Sequence, residues 1–225
     1  MITINLNKGK KVYFSSDNHL GSPNHSESLV REKLFVSWLD QIKTDAQVIF
    51  LLGDLFDFWF EYYRSVPKGY TRLLGKLSEL CDSGIKIYFF VGNHDYWTLD
   101  YFTKEIGMEV LKKPTDFKIN NKLFFMGHGD GLGPGDLKYK FLKKIFRNPI
   151  FIFLFRINYP WFGIPLGNFF SRKNKIFSGK EIKFEKKENE MLYFFCMKKL
   201  KNKFYDFFIF GDRHIPLKID LGNGS

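Results

Sequence analysis

Short apolar runs alternate with amphipathic stretches along the chain. Four of the runs end in glycine or serine, which is typical of buried strands: Lys11–Ser16, Val48–Gly53, Ile85–Gly92 and Phe207–Gly211. A hairpin is predicted where Phe117–Ile119 and Leu123–Met126 flank the turn-forming pair Asn120-Asn121.

Helical periodicity fills the intervals between the runs. Two sets of apolar residues at helical spacing each predict one buried helix face: Val30, Leu34, Trp38 and Ile42, and then Leu73, Leu77 and Leu80. The order of strand, helix and strand predicts a layered α/β or α+β sandwich that contains a mixed sheet.

Residues 138–187 interrupt this alternation. Phenylalanine, tyrosine and tryptophan crowd together there among prolines and cations, and the apolar stretch is too short and too broken to span a bilayer. We expect a mostly helical cap at 138–187, inserted into a core that consists of residues 1–137 and 188–225.

The C-terminal segment is predicted to add one more strand. Ile215–Leu221 alternates like a strand, and Asn223-Gly224 is a hairpin signal that no return strand follows. Either the sheet has an exposed edge here, or the sequence is a fragment of a longer protein.

The net charge of +11 is concentrated in the cap. Between Lys138 and Lys187 there are 13 Lys and Arg against two acidic residues, whereas the rest of the chain has 22 of each sign. This concentration favours a functional cause over an ordinary solvated face.

The two cysteines, Cys81 and Cys196, are expected to be buried thiols in a reducing compartment. Because no signal peptide is visible, a cytoplasmic location is expected.

Polar motifs stand at the carboxyl ends of the predicted strands, where the ligands of open α/β sheets gather. They are Ser16-Asp17-Asn18-His19, Gly53-Asp54-Leu55-Phe56-Asp57, Gly92-Asn93-His94-Asp95, Gly127-His128-Gly129-Asp130 and Gly211-Asp212-Arg213-His214. Four of the five histidines lie in these motifs. One such histidine alone would more often be an ordinary polar residue, but the set suits Mn²⁺, Fe²⁺ or Zn²⁺. Two such ions roughly 3.5–4 Å apart activate water for attack on phosphorus.

The five motifs in this order resemble the signature of the calcineurin-like metallophosphoesterase superfamily. The resemblance implies an α+β fold, a two-sheet β-sandwich flanked by helices, and a centre of two divalent metal ions. By position it implies Asp17, His19 and His214 as ligands of one ion, Asn93 and His128 as ligands of the other, and Asp54 as the bridge. It makes His94, oriented by Asp95, a catalytic residue over the phosphate. Asp57 and Asp130 are expected to steady the ligands.

The last motif departs from the family pattern. The family usually has Gly-His-x-His, whereas this chain has Gly-Asp-Arg-His, so Asp212 stands where a ligand of the second metal is expected. A carboxylate can bind Mn²⁺ or Mg²⁺, but it adds negative charge and has a shorter reach. Three interpretations are open: Asp212 is a working ligand, the second site is weakened, or the position carries a mutation or a sequence error.

Within the superfamily, the chain is similar to the UDP-2,3-diacylglucosamine pyrophosphohydrolases of lipid A synthesis, in a form similar to that of Bacteroidetes. The segments that carry the similarity are Ser15–Gly21 (SSDNHLG), Gly53–Trp59 (GDLFDFW) and His128–Lys140 (HGDGLGPGDLKYK). The similarity implies Mn²⁺-dependent release of UMP and the diacylated sugar 1-phosphate at the cytoplasmic face of the inner membrane. It implies contacts with the substrate at Asn93, His94, Asp136 and Tyr139.

The composition of the cap agrees with an acylated UDP-sugar as the substrate. Its aromatic residues suit acyl chains, and its cations, Arg172 among them, suit phosphates. Basic aromatic helices also bind anionic membrane surfaces. The alternatives are that the aromatic residues only pack the cap onto the core, that the chain is a nuclease or nucleotide pyrophosphatase, or that it is a non-catalytic membrane-binding module. No nucleic-acid partner is expected, because Phe and aliphatic residues dominate the segment.

Overall fold

In this computed structural model the described residues are 1–157 and 190–222, together with the single positions 161, 163, 165, 167 and 186. Among them the elements are, in chain order, β1 (Ile2–Ile4), β2 (Lys11–Ser15), α1 (His25–Ile42), β3 (Ala46–Leu51), α2 (Thr71–Asp82), β4 (Lys86–Phe90), α3 (Tyr101–Lys104), β5 (Glu109–Leu111), β6 (Thr115–Ile119), β7 (Lys122–Gly127), α4 (Leu137–Phe146), α5 (Pro149–Ile157), α6 (Met191–Leu200) and β8 (Phe207–Phe210).

The strands form two four-stranded sheets, one in the order β1-β6-β7-β8 and the other in the order β2-β3-β4-β5. All neighbouring strands are parallel except the β6–β7 hairpin, in which Asn120 has the positive φ (51°) that such a turn requires. Ser15 pairs with Leu51, and Leu51 pairs with Phe89, so β2, β3 and β4 end at the same edge. The predicted sandwich with a mixed sheet is confirmed.

The two faces of the β2-β3-β4-β5 sheet are buried in different cores. Val48 and Phe50 of β3 point between the sheets, where the Phe50 ring lies 4.9 Å from that of Phe117. Ile49 and Leu51 point the other way, into the core beneath α1 and α2. Because side chains alternate along a strand, a continuous apolar run can fill both layers at once.

Helix α1 forms where the apolar spacing predicts it, but the predicted buried face is confirmed only in its second half, where Ile42 is buried and Trp38 packs against the core. Val30 is 58% exposed and Leu34 is 66% exposed, whereas Leu39 is fully buried. A spacing of four residues advances about 40° beyond one turn at each step, so the pattern drifts off the core. The buried face instead includes Glu32, whose carboxylate accepts the backbone N–H groups at the start of α2, among them that of Leu73 at 3.2 Å. The predicted face of α2, with Leu73, Leu77 and Leu80, is confirmed.

The predicted C-terminal strand is wrong, since residues 215–221 form no strand. Pro216 has no N–H group to donate to a ladder, which breaks the pairing that the alternation suggested. Helix α6 covers the outer face of the β1-β6-β7-β8 sheet, with the Phe195 ring 5.7 Å from that of Phe125. Cys81 and Cys196 are both free thiols.

Helices α4 and α5 occupy the described first part of the segment 138–187. They follow β7 and precede β8, which are hydrogen-bonded neighbours, so the segment lies within a crossover connection of one sheet. The predicted end of the cap falls among residues outside the described part, and its boundaries stay a prediction. No helix in the described part of the chain is long and apolar enough to cross a membrane.

Two leucines of α1 test the corrected helix face. Leu39→Ala should lower the free energy of unfolding by about 2–5 kcal/mol, because it leaves a cavity in the core. Leu34→Ala should change it by no more than about 0.5 kcal/mol, because this side chain lies on the surface. Urea unfolding followed by circular dichroism measures both, and equal losses would contradict the assignment.

Candidate metal centre

The five motif loops meet at the carboxyl edge of the strands, where their backbones are hydrogen-bonded to one another. The N–H of Asp17 donates to the carbonyl of Gly53 at 3.1 Å. The N–H of His19 donates to the carbonyl of Asp54 at 2.9 Å. The loops that follow β2 and β3 are thereby fixed side by side, and seven predicted ligand side chains can approach one another.

The first group of side chains brings together Asp17, His19 and His214. Their closest ligand atoms all lie within 4.8 Å of one another. The Nε2 atoms of the two histidines are 3.1 Å apart, and Nε2 of His214 is 3.6 Å from Oδ1 of Asp17. Two imidazole nitrogens and a carboxylate at this separation match the predicted first metal site.

The second group forms around His128. Its Nε2 atom is 3.1 Å from Oδ1 of Asn93 and 3.7 Å from Oδ1 of Asp212. Oδ2 of Asp54 is 3.4 Å from this Nε2 and 3.7 Å from Nε2 of His19. Asp54 therefore stands between the two groups, where the resemblance placed a bridging ligand.

The chemistry of the second group fits a cation. Nδ1 of His128 is 2.8 Å from the carbonyl oxygen of Leu52, so in the neutral ring this nitrogen carries the proton. Nε2 then presents a lone pair to three oxygen acceptors, and such an arrangement needs a positive charge among them. Burial alone would lower the pKa of His128, but the charges of Asp54 and Asp212 outweigh it and hold this pKa well above its usual value.

Burial and nearby charges shift the pKa values of Asp54 and Asp212 in opposite directions. Burial alone would raise the pKa of Asp54, but the charge and hydrogen bond of His128 outweigh burial and hold this pKa below its usual value. Burial raises the pKa of Asp212 to about 6, assisted by the charge of Asp130 and opposed by that of His128. Asp54 is thus the more strongly stabilised anion of the two.

The backbone at the centre is strained. Five of the seven predicted ligands adopt positive φ values, a region that residues other than glycine rarely occupy: Asp17, His19, Asp54, Asp212 and His214. Gly92 allows a close approach of two loops, because a Cβ atom there would collide with the Asp54 carboxylate. Strain of this kind persists only where the surrounding fold imposes it.

Asp57 positions two imidazole rings of the centre by contacting the Nδ1 atom of each. Its carbonyl oxygen is 2.7 Å from Nδ1 of His94, and its Oδ1 is 3.5 Å from Nδ1 of His19. Both rings are therefore turned so that Nε2 faces the centre. This geometry suits the predicted steadying role of Asp57.

The predicted orientation of His94 by Asp95 is corrected by this contact, because Nδ1 of His94 faces Asp57 instead. The Asp95 carboxylate is fully buried and accepts the backbone N–H groups of Gly92 at 2.7 Å and Leu55 at 2.8 Å. Burial, reinforced by a neighbouring carboxylate, raises the pKa of Asp95 to about 7. Asp95 is a positioning residue for the loops that carry Asn93 and Asp54.

Asp130 connects the loop that follows β7 to helix α4 and its C-cap residue. Its Oδ2 atom accepts hydrogen bonds from the Tyr139 hydroxyl at 3.0 Å and from Arg147 at 3.1 Å, and it forms an ion pair with Nζ of Lys143 at 2.6 Å. Sequence reasoning did not identify Lys143, although residues 139, 143 and 147 recur at the spacing of one helix face. Burial and the charge of Asp130 raise the pKa of Tyr139 well above its usual value.

The other predicted substrate contacts are placed as follows. Asp136 is the N-cap residue of α4, and its side chain accepts from the N–H of Tyr139 at 3.4 Å. Arg172 lies outside the described residues.

The chain belongs to the calcineurin-like phosphoesterase family, whose family model matches residues 10–216. Membership makes the chain a hydrolase of phosphoesters and implies divalent metal ions, which the two groups of side chains fit. This match agrees with the fold and with the arrangement of the five motif loops.

Several relatives share one name. The chain is 37% identical to the UDP-2,3-diacylglucosamine hydrolase of Porphyromonas gingivalis, over 94% of this chain and 86% of that protein. It is 33% identical to the protein of the same name in Pseudomonas fluorescens, over 55% of this chain and 49% of that protein. A solved nuclease of Pseudomonas putida is 18% identical over 55% of this chain and 56% of that chain, with a TM-score of 0.35.

Replacement of the bridging carboxylate tests the centre. Asp54→Ala should abolish hydrolysis of bis-p-nitrophenyl phosphate, a loss of roughly 10⁴-fold, because both groups lose a shared ligand. Asp40→Ala is the matched control, since that aspartate lies on the surface of α1 with its side chain 44% exposed. Retained turnover in Asp54→Ala, with both proteins folded, would contradict a dinuclear centre.

Asp212 is tested by restoring the residue that the family usually carries. Asp212→His should keep or raise phosphodiesterase activity, because an imidazole can take the same position beside His128. The rate is measured over a range of Mn²⁺ concentrations. A large loss would show that the carboxylate has a function of its own.

Proposed function

We propose that this chain hydrolyses the diphosphate of UDP-2,3-diacylglucosamine, with two Mn²⁺ ions bound at the centre. The observation that carries the proposal is the 37% identity, over 94% of the chain, to a UDP-2,3-diacylglucosamine hydrolase. Water attacks the α-phosphorus, and the bond from that phosphorus to the bridging oxygen breaks. The products are UMP and 2,3-diacylglucosamine 1-phosphate.

The residues of the centre have two kinds of role in this proposal, which are metal binding and proton transfer. The metal-ligand roles fall to Asp17, His19, Asp54, Asn93, His128, Asp212 and His214. When bound, two divalent ions supply the positive charge that polarises the phosphoryl group and activates water.

His94 supplies the proton chemistry in this proposal. The carbonyl of Asp57 fixes Nδ1 of His94, so Nε2 points toward the centre, 4.0 Å from Oδ2 of Asp54. When both ring nitrogens are protonated, the proton at Nε2 stabilises the negative charge that develops on the phosphoryl oxygens, and it can be delivered to the departing sugar phosphate.

The described part of the cap supports an acylated substrate and an anionic membrane surface as partners. Helices α4 and α5 expose large apolar side chains that a soluble surface would normally bury: Leu137, Phe141, Phe146, Ile150, Phe151, Phe153 and Ile157. Cations alternate with them along α4, including Lys138, Lys140 and Lys144. Such helices bind at the boundary between acyl chains and anionic headgroups. This supports peripheral attachment to an anionic membrane surface. We propose the cytoplasmic face of the inner membrane as that surface.

One side of α5 packs against the loop that follows β3, and its other side is exposed and available to acyl chains or lipid. Nε of Arg156 donates to the carbonyl of Glu61 at 2.9 Å, and the ring of Phe155 lies 4.6 Å from that of Phe60. These contacts hold α5 against the loop that follows β3 while Phe151 stays 53% exposed.

The direct test is UMP release from UDP-2,3-diacylglucosamine in Mn²⁺, with UDP-N-acetylglucosamine as the non-acylated control. We expect turnover of the acylated substrate only, and none from Asp54→Ala. If neither UDP-sugar is cleaved while bis-p-nitrophenyl phosphate is, the substrate assignment is wrong and another phosphodiesterase activity follows. If nothing is cleaved, the catalytic proposal itself fails.

A further inference from the structure

The loop after β8 contains an ion pair that the proposed chemistry does not use. Arg213 lies between Asp212 and His214, which belong to the two ligand groups. Its Nη2 atom is 2.7 Å from Oε1 of Glu190. The side chain of Glu190 is 8% exposed and that of Arg213 is 27% exposed. Because Glu190 is the N-cap residue of α6, the pair connects the start of this helix to the metal loop.

The loop needs support because its backbone is strained. The φ angles of Asp212 and His214 are +71° and +53°, a backbone region that residues other than glycine rarely adopt. The loop is tied to the opposite motif through Asp17, whose carboxylate accepts the N–H of Asp212 at 3.0 Å. Arg213 holds the middle of the loop, and its own N–H donates to the carbonyl of Gly211 at 2.9 Å.

The guanidinium depends on Glu190 for its orientation. Nε of Arg213 is buried and has no hydrogen-bond partner among the residues that the structure describes. The contact at Nη2 is therefore the polar contact that fixes this side chain. An arginine–carboxylate hydrogen bond is strong because both partners are charged. A buried ion that loses its partner is poorly solvated, so the fold favours the paired arrangement.

We propose that the Glu190–Arg213 ion pair is a positioning device for the metal centre, which holds Asp212 and His214 in the geometry of ligands. Metal affinity then depends on where α6 begins, 23 positions before Arg213 in the chain. The proposal rests on the metal centre proposed above, but it does not depend on the identity of the substrate.

The test measures binding of Mn²⁺ alone to the metal-stripped full chain by titration calorimetry. Glu190→Gln keeps the shape of the side chain and removes its charge, and should weaken Mn²⁺ binding about tenfold, the lower limit usual for residues that orient ligands. Arg213→Lys keeps the positive charge and should lose less. Glu109→Gln is the control, since it breaks an exposed pair with Lys86 (2.8 Å) on the edge of a sheet, and its affinity should be unchanged.

Thermal unfolding of the metal-free proteins separates positioning from simple stabilisation. If Glu190→Gln unfolds at a lower temperature but binds Mn²⁺ as tightly as the unaltered chain, the pair is only structural and the proposal is overturned. If the unaltered chain binds no Mn²⁺, the proposed metal centre fails, and this inference fails with it. A tenfold loss of Mn²⁺ affinity in Glu190→Gln, a smaller loss in Arg213→Lys and no loss in Glu109→Gln support the positioning role.

Discussion

The carboxylate of Asp54 is buried where imidazole rings from three other loops meet, and the rest of the site is arranged around this one charge. Its oxygens lie 3.4 Å from Nε2 of His128 and 3.7 Å from Nε2 of His19. An isolated carboxylate in a protein interior would be expensive, so the fold must supply positive charge beside it. The imidazoles and the metal ions that they suit provide that charge.

The two sheets make this arrangement possible by ending their strands at one edge. The register of β2, β3 and β4 brings Asp17, Asp54 and Asn93 to neighbouring loops, and the parallel pairing of β7 with β8 does the same for His128 and His214. The close-packed aromatic core between the sheets prevents the motif loops from relaxing, so five ligand residues keep their strained backbone conformations. Stability of the sandwich and precision of the site therefore have the same source.

Much of the site was predictable, because it depends on local sequence. Strand runs that end in Gly-Asp, Gly-Asn-His and Gly-His place these side chains at one edge, and the resemblance to the family divides them into the groups formed by His19 and His128. Contacts that depend on the direction of a side chain were harder to predict from the sequence. Asp95 is adjacent to His94 in sequence, yet its carboxylate points to the backbone of Gly92, while the His94 ring turns toward the carbonyl of Asp57.

The same distinction applies to the helices and the C-terminus. The existence of α1 follows from its apolar spacing, but its buried face includes Glu32, a polar residue that hydrophobic patterning cannot select. Glu32 is buried because it caps the start of α2, a long-range contact. Alternation at 215–221 suggested a strand, but pairing also needs donors and a neighbour, and Pro216 removes one donor.

The most direct test of the account is the number and position of bound metal ions. Anomalous scattering from crystals soaked in Mn²⁺, recorded at the manganese absorption edge, should show two peaks that share Asp54. One peak should lie among Asp17, His19 and His214, and the other among Asn93, His128 and Asp212. A single peak, or two peaks that Asp54 does not join, would contradict a dinuclear centre bridged by this carboxylate.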